Sequence, residues 1–264
     1  MQYGVCTGPE NAAAMAAVGF DFIELNVQGH LQPRADSAAF KPTLDAIRGS
    51  GTSAPAANGF LPANLPVTGP DVDLSAVREY VTTAFLHAQQ AGVHTIVFGS
   101  GGARQIPDGF DRDIAWQQLV DFGRMIGPLA EQRAVYVVVE HLNRAECNVL
   151  TTVPECVNYV REVDHPNVRL LVDAYHVARE NEDLSVLDDC GGILRHVHVA
   201  TYESRKAPGA EDCDLGPFVK KLKEIGYAGR LSIEAQWDAD SMSEDAATAL
   251  KVLRDLVNGN GANT

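Results

Sequence analysis

Residues 134–140 read Ala-Val-Tyr-Val-Val-Val-Glu, and residues 168–173 read Val-Arg-Leu-Leu-Val-Asp. Each is a short, nearly continuous apolar run that ends on one carboxylate. Such runs are covered on both faces, which marks strands of a parallel sheet buried between layers. Six further runs follow the pattern less completely: Tyr3–Cys6, Phe20–Leu25, Ser53–Asn58, Thr95–Gly99, His196–Ala200 and Arg230–Glu234. With Ala134–Glu140 and Val168–Asp173 they make eight. Amphipathic stretches separate them. Leu74, Val77, Val81, Ala84 and Ala88 recur at helical spacing. Ser241 and Glu244 have capping-box spacing ahead of a stripe through Leu250, Leu253 and Leu256. Residues 111–130 read as a helix that Gly127-Pro128 should kink or end early. Eight strand–helix pairs give about 33 residues each, the size of a βα unit, and eight such units close a barrel. The expected fold is therefore α/β, a single-domain (β/α)8 TIM barrel over residues 1–257 with a frayed tail at 258–264. An open doubly wound sheet is the alternative; no G-x-G-x-x-G follows the first strand, which weakens its dinucleotide-binding form.

Composition narrows the partners. Apolar residues make up 45% and charged residues 21% of 264, which excludes a disordered chain. A formal net charge of −14 repels phosphate backbones, so neither nucleic acid nor an anionic membrane surface is an expected partner. No apolar run approaches the ~20 residues that cross a bilayer. The opening MQYGVCTGPE lacks a basic patch followed by an apolar block, so no secretory signal is expected. Cys6, Cys147, Cys156, Cys190 and Cys213 are odd in number, widely spaced and form no CxxC. They read as small core residues in a reducing cytoplasm, not as a disulfide framework or a thiolate zinc site.

The chemistry is concentrated in the second half. Glu140, Asp173 and Glu234 each follow an apolar strand, and His198 lies in the strand between the last two. Their spacings of 33, 25 and 36 residues are each about one βα unit, so four successive strands offer one polar group at the same mouth. Three carboxylates converging there repel one another, and burying each unpaired costs several kcal/mol. A divalent cation removes most of that cost. Three carboxylates and one imidazole form a hard, oxygen-rich set suited to one Mn²⁺ above all, with Mg²⁺ or Co²⁺ also possible. His196 lies two residues below His198 on the same face and reads as a hydrogen-bonded core histidine. His176, just past its strand, could reach a substrate oxygen or be an ordinary loop histidine. Gly99–Arg104 could bind a ligand through backbone N–H groups and Arg104, or be a plain tight turn. Glu24 reads as a strand end that faces the pocket or pairs with Arg or Lys. Trp237 is a stacking platform, a lid residue or simple packing.

The segment Glu140-His-Leu-Asn-Arg-Ala-Glu146 resembles the E-x-x-N-R-x-E motif of ketose 3-epimerases, the D-tagatose and D-psicose 3-epimerases of the xylose isomerase-like TIM-barrel superfamily. Asp173-Ala-Tyr-His176 resembles that family's D-x-x-H. His196-Val-His198 and Arg205-Lys-Ala-Pro-Gly209 resemble its H-x-H and R-x-x-P-G, and Leu231-Ser-Ile-Glu234 its last strand and acid. The motifs cover residues 134–237. The resemblance implies that Glu140, Asp173, His198 and Glu234 hold one divalent metal, that Glu146, His176 and Arg205 contact the sugar, and that Glu140 and Glu234 are the acid–base pair. It implies an isomerase that moves a proton beside a ketose or keto-sugar carbonyl through a metal-stabilised enediolate. A dimer or tetramer fits the family. Two departures stand out: the segment between His198 and Arg205 is one residue longer than the epimerase spacing, and Ala-Gln-Trp237 follows Glu234 where epimerases carry Pro and Phe. Both fit a larger or modified substrate: an oxidised sugar, a keto-inositol or a keto-glycoside. A lyase, acting as a keto-inositol dehydratase or a keto-glycoside deglycosidase, starts with the same proton abstraction. A non-catalytic sugar-binding barrel is a further alternative. An endonuclease IV-like nuclease, which shares the fold, fits poorly with few first-half ligands and the −14 charge.

Overall fold

The computed structural model describes residues 1–238 and 241–259. Eight parallel strands close on themselves in sequence order, each bonded to the next and the eighth to the first. They are β1 (Gln2–Cys6), β2 (Phe22–Asn26), β3 (Ala56–Asn58), β4 (Thr95–Phe98), β5 (Tyr136–Glu140), β6 (Val168–Asp173), β7 (Leu194–Val199) and β8 (Arg230–Ile233). The helices are α1 (Ala12–Val18), α2 (Ser37–Gly49), α3 (Leu74–Ala91), α4 (Gly101–Arg104), α5 (Arg112–Glu131), α6 (Val153–Val163), α7 (Ala174–Arg179), α8 (Gly216–Glu224) and α9 (Met242–Asn258). This is the expected (β/α)8 barrel.

Side chains alternate between the outer layer and the barrel lumen. Outward residues such as Val137, Val139 and Leu170 join the helices in the main core, where Phe122 of α5 and Tyr159 of α6 are fully buried. Inward, Val97, Val138 and Leu171 form a small separate cluster. The next inward residues after Val138 and Leu171 are Glu140 and Asp173. On β5 and β6 the inward face thus passes from an apolar middle layer to a charged mouth.

Local chemistry explains where strands and helices depart from the sequence expectation. β3 begins at Ala56 because Pro55 has no N–H to give the ladder. β5 begins at Tyr136 because Ala134 is left-handed, with φ 54°. α5 runs through Gly127-Pro128 to Glu131 instead of ending early. Pro128 lies in its last turn, where one lost hydrogen bond is tolerated, and the missing Cβ of Gly127 leaves room for the His165 ring. Ser241 precedes α9, but no capping box forms: its ψ of −2° is not the extended cap geometry, and its hydroxyl donates to Asp245 Oδ2 at 2.6 Å. Of the expected tail, Asn258 closes α9 and Gly259 caps it, so these two are not frayed. Residues 260–264 of that tail lie outside the described residues. Among the described residues no helix is long and apolar enough to cross a membrane.

Candidate active site

Donor atoms of Glu140, Asp173, His198 and Glu234 all lie within 4.8 Å of one another at the C-terminal mouth of the barrel. β5 and β6 end on Glu140 and Asp173, β7 carries His198, and Glu234 follows β8 by one residue. The strand register sets Asp173 opposite His198, so the convergence follows from the ladder itself.

His198 is the hub. Its Nδ1 lies 3.1 Å from Glu140 Oε1 and 3.5 Å from Glu234 Oε2, while Nε2 lies 3.0 Å from Glu24 Oε1. Glu24 Oε2 meets His196 Nε2 at 2.7 Å and accepts from the Ser232 hydroxyl at 2.6 Å. Glu24 therefore pairs with two histidines and a serine, not with Arg or Lys, and sits two residues inside β2 instead of at its end. His196 is buried one layer below His198, as a hydrogen-bonded core residue.

The remaining contacts fix the carboxylates. Glu234 accepts from Asn58 Nδ2 at 2.7 Å and from Arg205 Nη2 at 2.5 Å. Arg205, held in the left-handed region at φ 50°, also faces Glu146 at 3.4 Å and lies over the Tyr175 ring. Asp173 Oδ1 accepts from the Tyr175 N–H at 2.8 Å. Its Oδ2 is buried without a hydrogen-bond partner. His176 is fully buried, with Nδ1 near the Asn143 amide and Nε2 unpartnered, 3.7 Å from Asp173 Oδ2.

The electrostatics reflect crowding. Burial, then repulsion from Glu234, pushes the Glu140 carboxyl up. Burial lifts Asp173 to about 6 despite the pull of Arg205. Burial also opposes the charge on Glu234, but His198 and Arg205 outweigh it and hold that carboxyl at about 2. For His198, burial is outweighed by Glu24, Glu234 and Glu140, which hold the imidazole well above its ordinary value. This donor set fits one divalent cation. Three carboxylates and one imidazole nitrogen converge, and Asp173 keeps a buried oxygen with no hydrogen-bond partner, Arg205 Nη2 standing off at 3.8 Å. Cys6 also approaches Glu24 and His198. Burial and Glu24 push its thiol well up in the metal-free protein.

Above these groups lies a cavity of about 520 Å³, whose walls include Glu140, Glu234, Glu146 and Arg205. Asn26, Gln28 and Asn58 complete its first-half wall. Asn26 and Asn58 close β2 and β3 with amides, not acids, and Gln28 lies in the turn after β2; amides carry no spacing signal, so none of the three stands out in the sequence. Gly99–Gly102 also line the cavity, but Arg104 does not. Its guanidinium is fully buried and donates to the carbonyls of Phe98, Glu140 and Leu150, so it braces two strand ends and is not free for a ligand. Trp237 packs against the core and is absent from the cavity walls.

A family model described as "Xylose isomerase-like TIM barrel" matches residues 12–256. The D-psicose 3-epimerase of Ruminiclostridium cellulolyticum is 26% identical over 253 residues, spanning 93% of this chain and 83% of that protein. A ketose 3-epimerase of Arthrobacter globiformis is 31% identical over 128 residues, 48% of this chain and 44% of that protein. The crystal structure of D-psicose 3-epimerase with D-tagatose from Clostridium cellulolyticum H10 shares the fold, with a TM-score of 0.85 at 22% identity over 97% of this chain and 99% of that one. The chain belongs to the xylose isomerase-like TIM-barrel family.

Proposed function

We propose that this protein is a divalent-metal-dependent sugar isomerase or epimerase that moves a proton beside the carbonyl of a ketose or keto-sugar. The observation that carries the reading is the convergence of Glu140 and Glu234 with Asp173 and His198 under one polar cavity. The ketose 3-epimerases among the relatives support the substrate class.

A C–H beside a carbonyl is a weak acid, and a positioned carboxylate within reach removes its proton. Glu140 and Glu234 enter from different strands, so one can take the proton and the other return one, inverting the carbon. Return to the neighbouring carbon gives aldose–ketose isomerisation from the same site. One divalent cation on Glu140, Asp173, His198 and Glu234, manganese first among the metals that suit this set, would supply electrophilic stabilisation of the charge developing on the adjacent oxygens. Arg205 and Glu146 orient the sugar by hydrogen bonds to its hydroxyls. His176, with an unpartnered Nε2, is the third proposed sugar contact. The five unpaired cysteines support a reducing, cytoplasmic setting.

The test is proton NMR in D₂O with the metal-loaded protein and a panel of ketoses, keto-glycosides and keto-inositols. The expected result is deuterium entering beside the carbonyl as an epimer or isomer accumulates. Release of water or aglycone would convert the reading to a lyase. No exchange on any compound, with metal confirmed bound, would overturn catalysis in favour of a sugar-binding barrel.

A further inference from the structure

The opposite end of the barrel gathers positive charge without a counterion. Arg169 lies two residues before Leu171 on the inward face of β6, and Arg230 two residues before the inward Ser232 on β8. Between these strands β7 carries a bulge. Leu170 pairs with Leu194 and Leu171 with His196, so Arg195 is the extra residue. A bulge re-aims its side chain. The Arg195 guanidinium lies over Tyr136 at the start of β5, with its carbon 3.3 Å from the ring centroid. Among the described residues none of these three guanidiniums forms an ion pair. The Nε atoms of Arg195 and Arg230 are buried with no hydrogen-bond partner. Arg195 also walls a cavity of about 330 Å³, closed by Tyr227 and by Gly191, Gly192, Gly226 and Gly229. Glycines expose backbone to close approach by a ligand.

In a chain of net charge −14, three half-buried guanidiniums that form no ion pair among the described residues are a local concentration of positive charge. Only the Nε atoms of Arg195 and Arg230 are shut away from solvent; their terminal Nη groups are not, and with no hydrogen-bond partner among the described residues they are free for a ligand. We propose that this N-terminal end of the barrel is a binding site for a small tetrahedral oxyanion, inorganic phosphate or a phosphate monoester, held by Arg195 in the glycine-rimmed cavity, with Arg230 and Arg169 outside its walls adding field. The planar fork of Arg matches phosphate geometry, and the low-dielectric floor of the barrel strengthens the attraction. The site is remote from the carboxylate mouth and does not depend on the reaction proposed there.

Calorimetric titration of inorganic phosphate into the magnesium-loaded protein, with chloride at matched ionic strength as control, tests this. Saturable binding and a rise in Tm are expected from phosphate and not from chloride. Arg195→Gln should weaken binding about tenfold or more, the scale of losing one charge-assisted donor group, and Arg230→Gln should weaken it less, through the lost field alone. Gly191→Asp guards against variants that fail to fold. Gly191 has an ordinary φ of −53°, and a Cβ there meets nothing within 4 Å. Its new carboxylate should neutralise Arg195 from within and abolish phosphate binding while leaving the melt cooperative. A phenylphosphate titration separates the two sources: binding of both ligands identifies a monoester site, and binding of phosphate alone an inorganic-phosphate site. Lack of saturable phosphate binding, or binding that all three variants retain, would overturn the proposal.

Discussion

Glu24 holds His198 from behind while the other three acids surround it in front. Its two oxygens serve three donors: His198, His196 and Ser232. An amide has one acceptor oxygen, so Glu24→Gln must leave one histidine facing an N–H₂ group and disturb the His198 tautomer. Losing such an outer partner typically weakens metal binding about 10–100-fold. Glu24→Gln should therefore lose manganese affinity on that scale, read by direct titration, while its metal-free circular dichroism stays native. Glu140→Gln separates charge from shape differently. Burial and Glu234 already disfavour its charge, so the metal-free variant should melt no lower than the parent at neutral pH. Metal affinity and deuterium exchange should both fall, exchange by about 10²–10⁴-fold, the usual contribution of a general acid–base group. Unchanged exchange in Glu140→Gln would remove it from the catalytic pair. The legibility of these residues follows from their neighbours. Glu140, Asp173 and Glu234 stand out because each terminates an apolar run. Glu24 and Asn58 lie in β2 and β3, where a polar residue inside or closing a short strand has many ordinary explanations. Only the closed register brings them to His198 and Glu234.

At the scale of elements, the joints after strands decide the site more than the strands do. β6 was legible to the residue, because a six-residue apolar run bounded by polar turns has one reading. Boundaries failed where backbone chemistry overrode hydrophobicity, as at Pro55 and at left-handed Ala134. The capping box failed for the same reason: spacing specifies which side chains could meet, but the ψ of Ser241 decides whether they do. Gly99 shows how tight such a joint is. A Cβ there would lie 2.0 Å from Glu140 Oε2. Gly99→Ala should therefore push the Glu140 carboxylate off its position and weaken metal binding without unfolding the barrel, whereas Gly49→Ala, which meets nothing within 4 Å and has no left-handed backbone, should leave metal binding intact. Parallel metal titrations of the two variants check this; equal affinities would show that Glu140 moves freely at its strand end. Distant caps set stability instead. Asp73 accepts from the N–H groups of Ser75 and Ala76 at the start of α3. Asp73→Ala should cost about 1 kcal/mol in urea unfolding, with the metal affinity unaltered.

For the molecule as a whole, proton binding and cation binding at the mouth pull stability in opposite directions as pH changes. Asp173 has a metal-free value of about 6 against an ordinary 3.8. The metal-free fold therefore holds this proton more tightly than the unfolded chain does. That contribution to stability is fully present below 3.8 and is lost as pH rises through 6. Cation binding has the reverse dependence, because a ligand carboxylate must be ionised. Glu140 is also raised, and His198 is held as an imidazolium whose Nδ1 proton must leave before that nitrogen can donate to a cation. At the proposed metal site, proton and cation would thus compete for the same three side chains. Stabilisation by a ligand grows with its concentration relative to Kd, so the rise in Tm at fixed manganese should be large at about pH 7.5 and shrink steeply below about pH 6. Calorimetric titration near neutral pH in buffers of different ionisation enthalpy should show net proton release on binding. Glu24, held far below the usual carboxylate range by its two histidines, stays ionised throughout and contributes nothing to that slope. A manganese-induced Tm shift that is constant from about pH 7.5 to about pH 5, with no proton release, would place the bound cation away from Asp173 and His198.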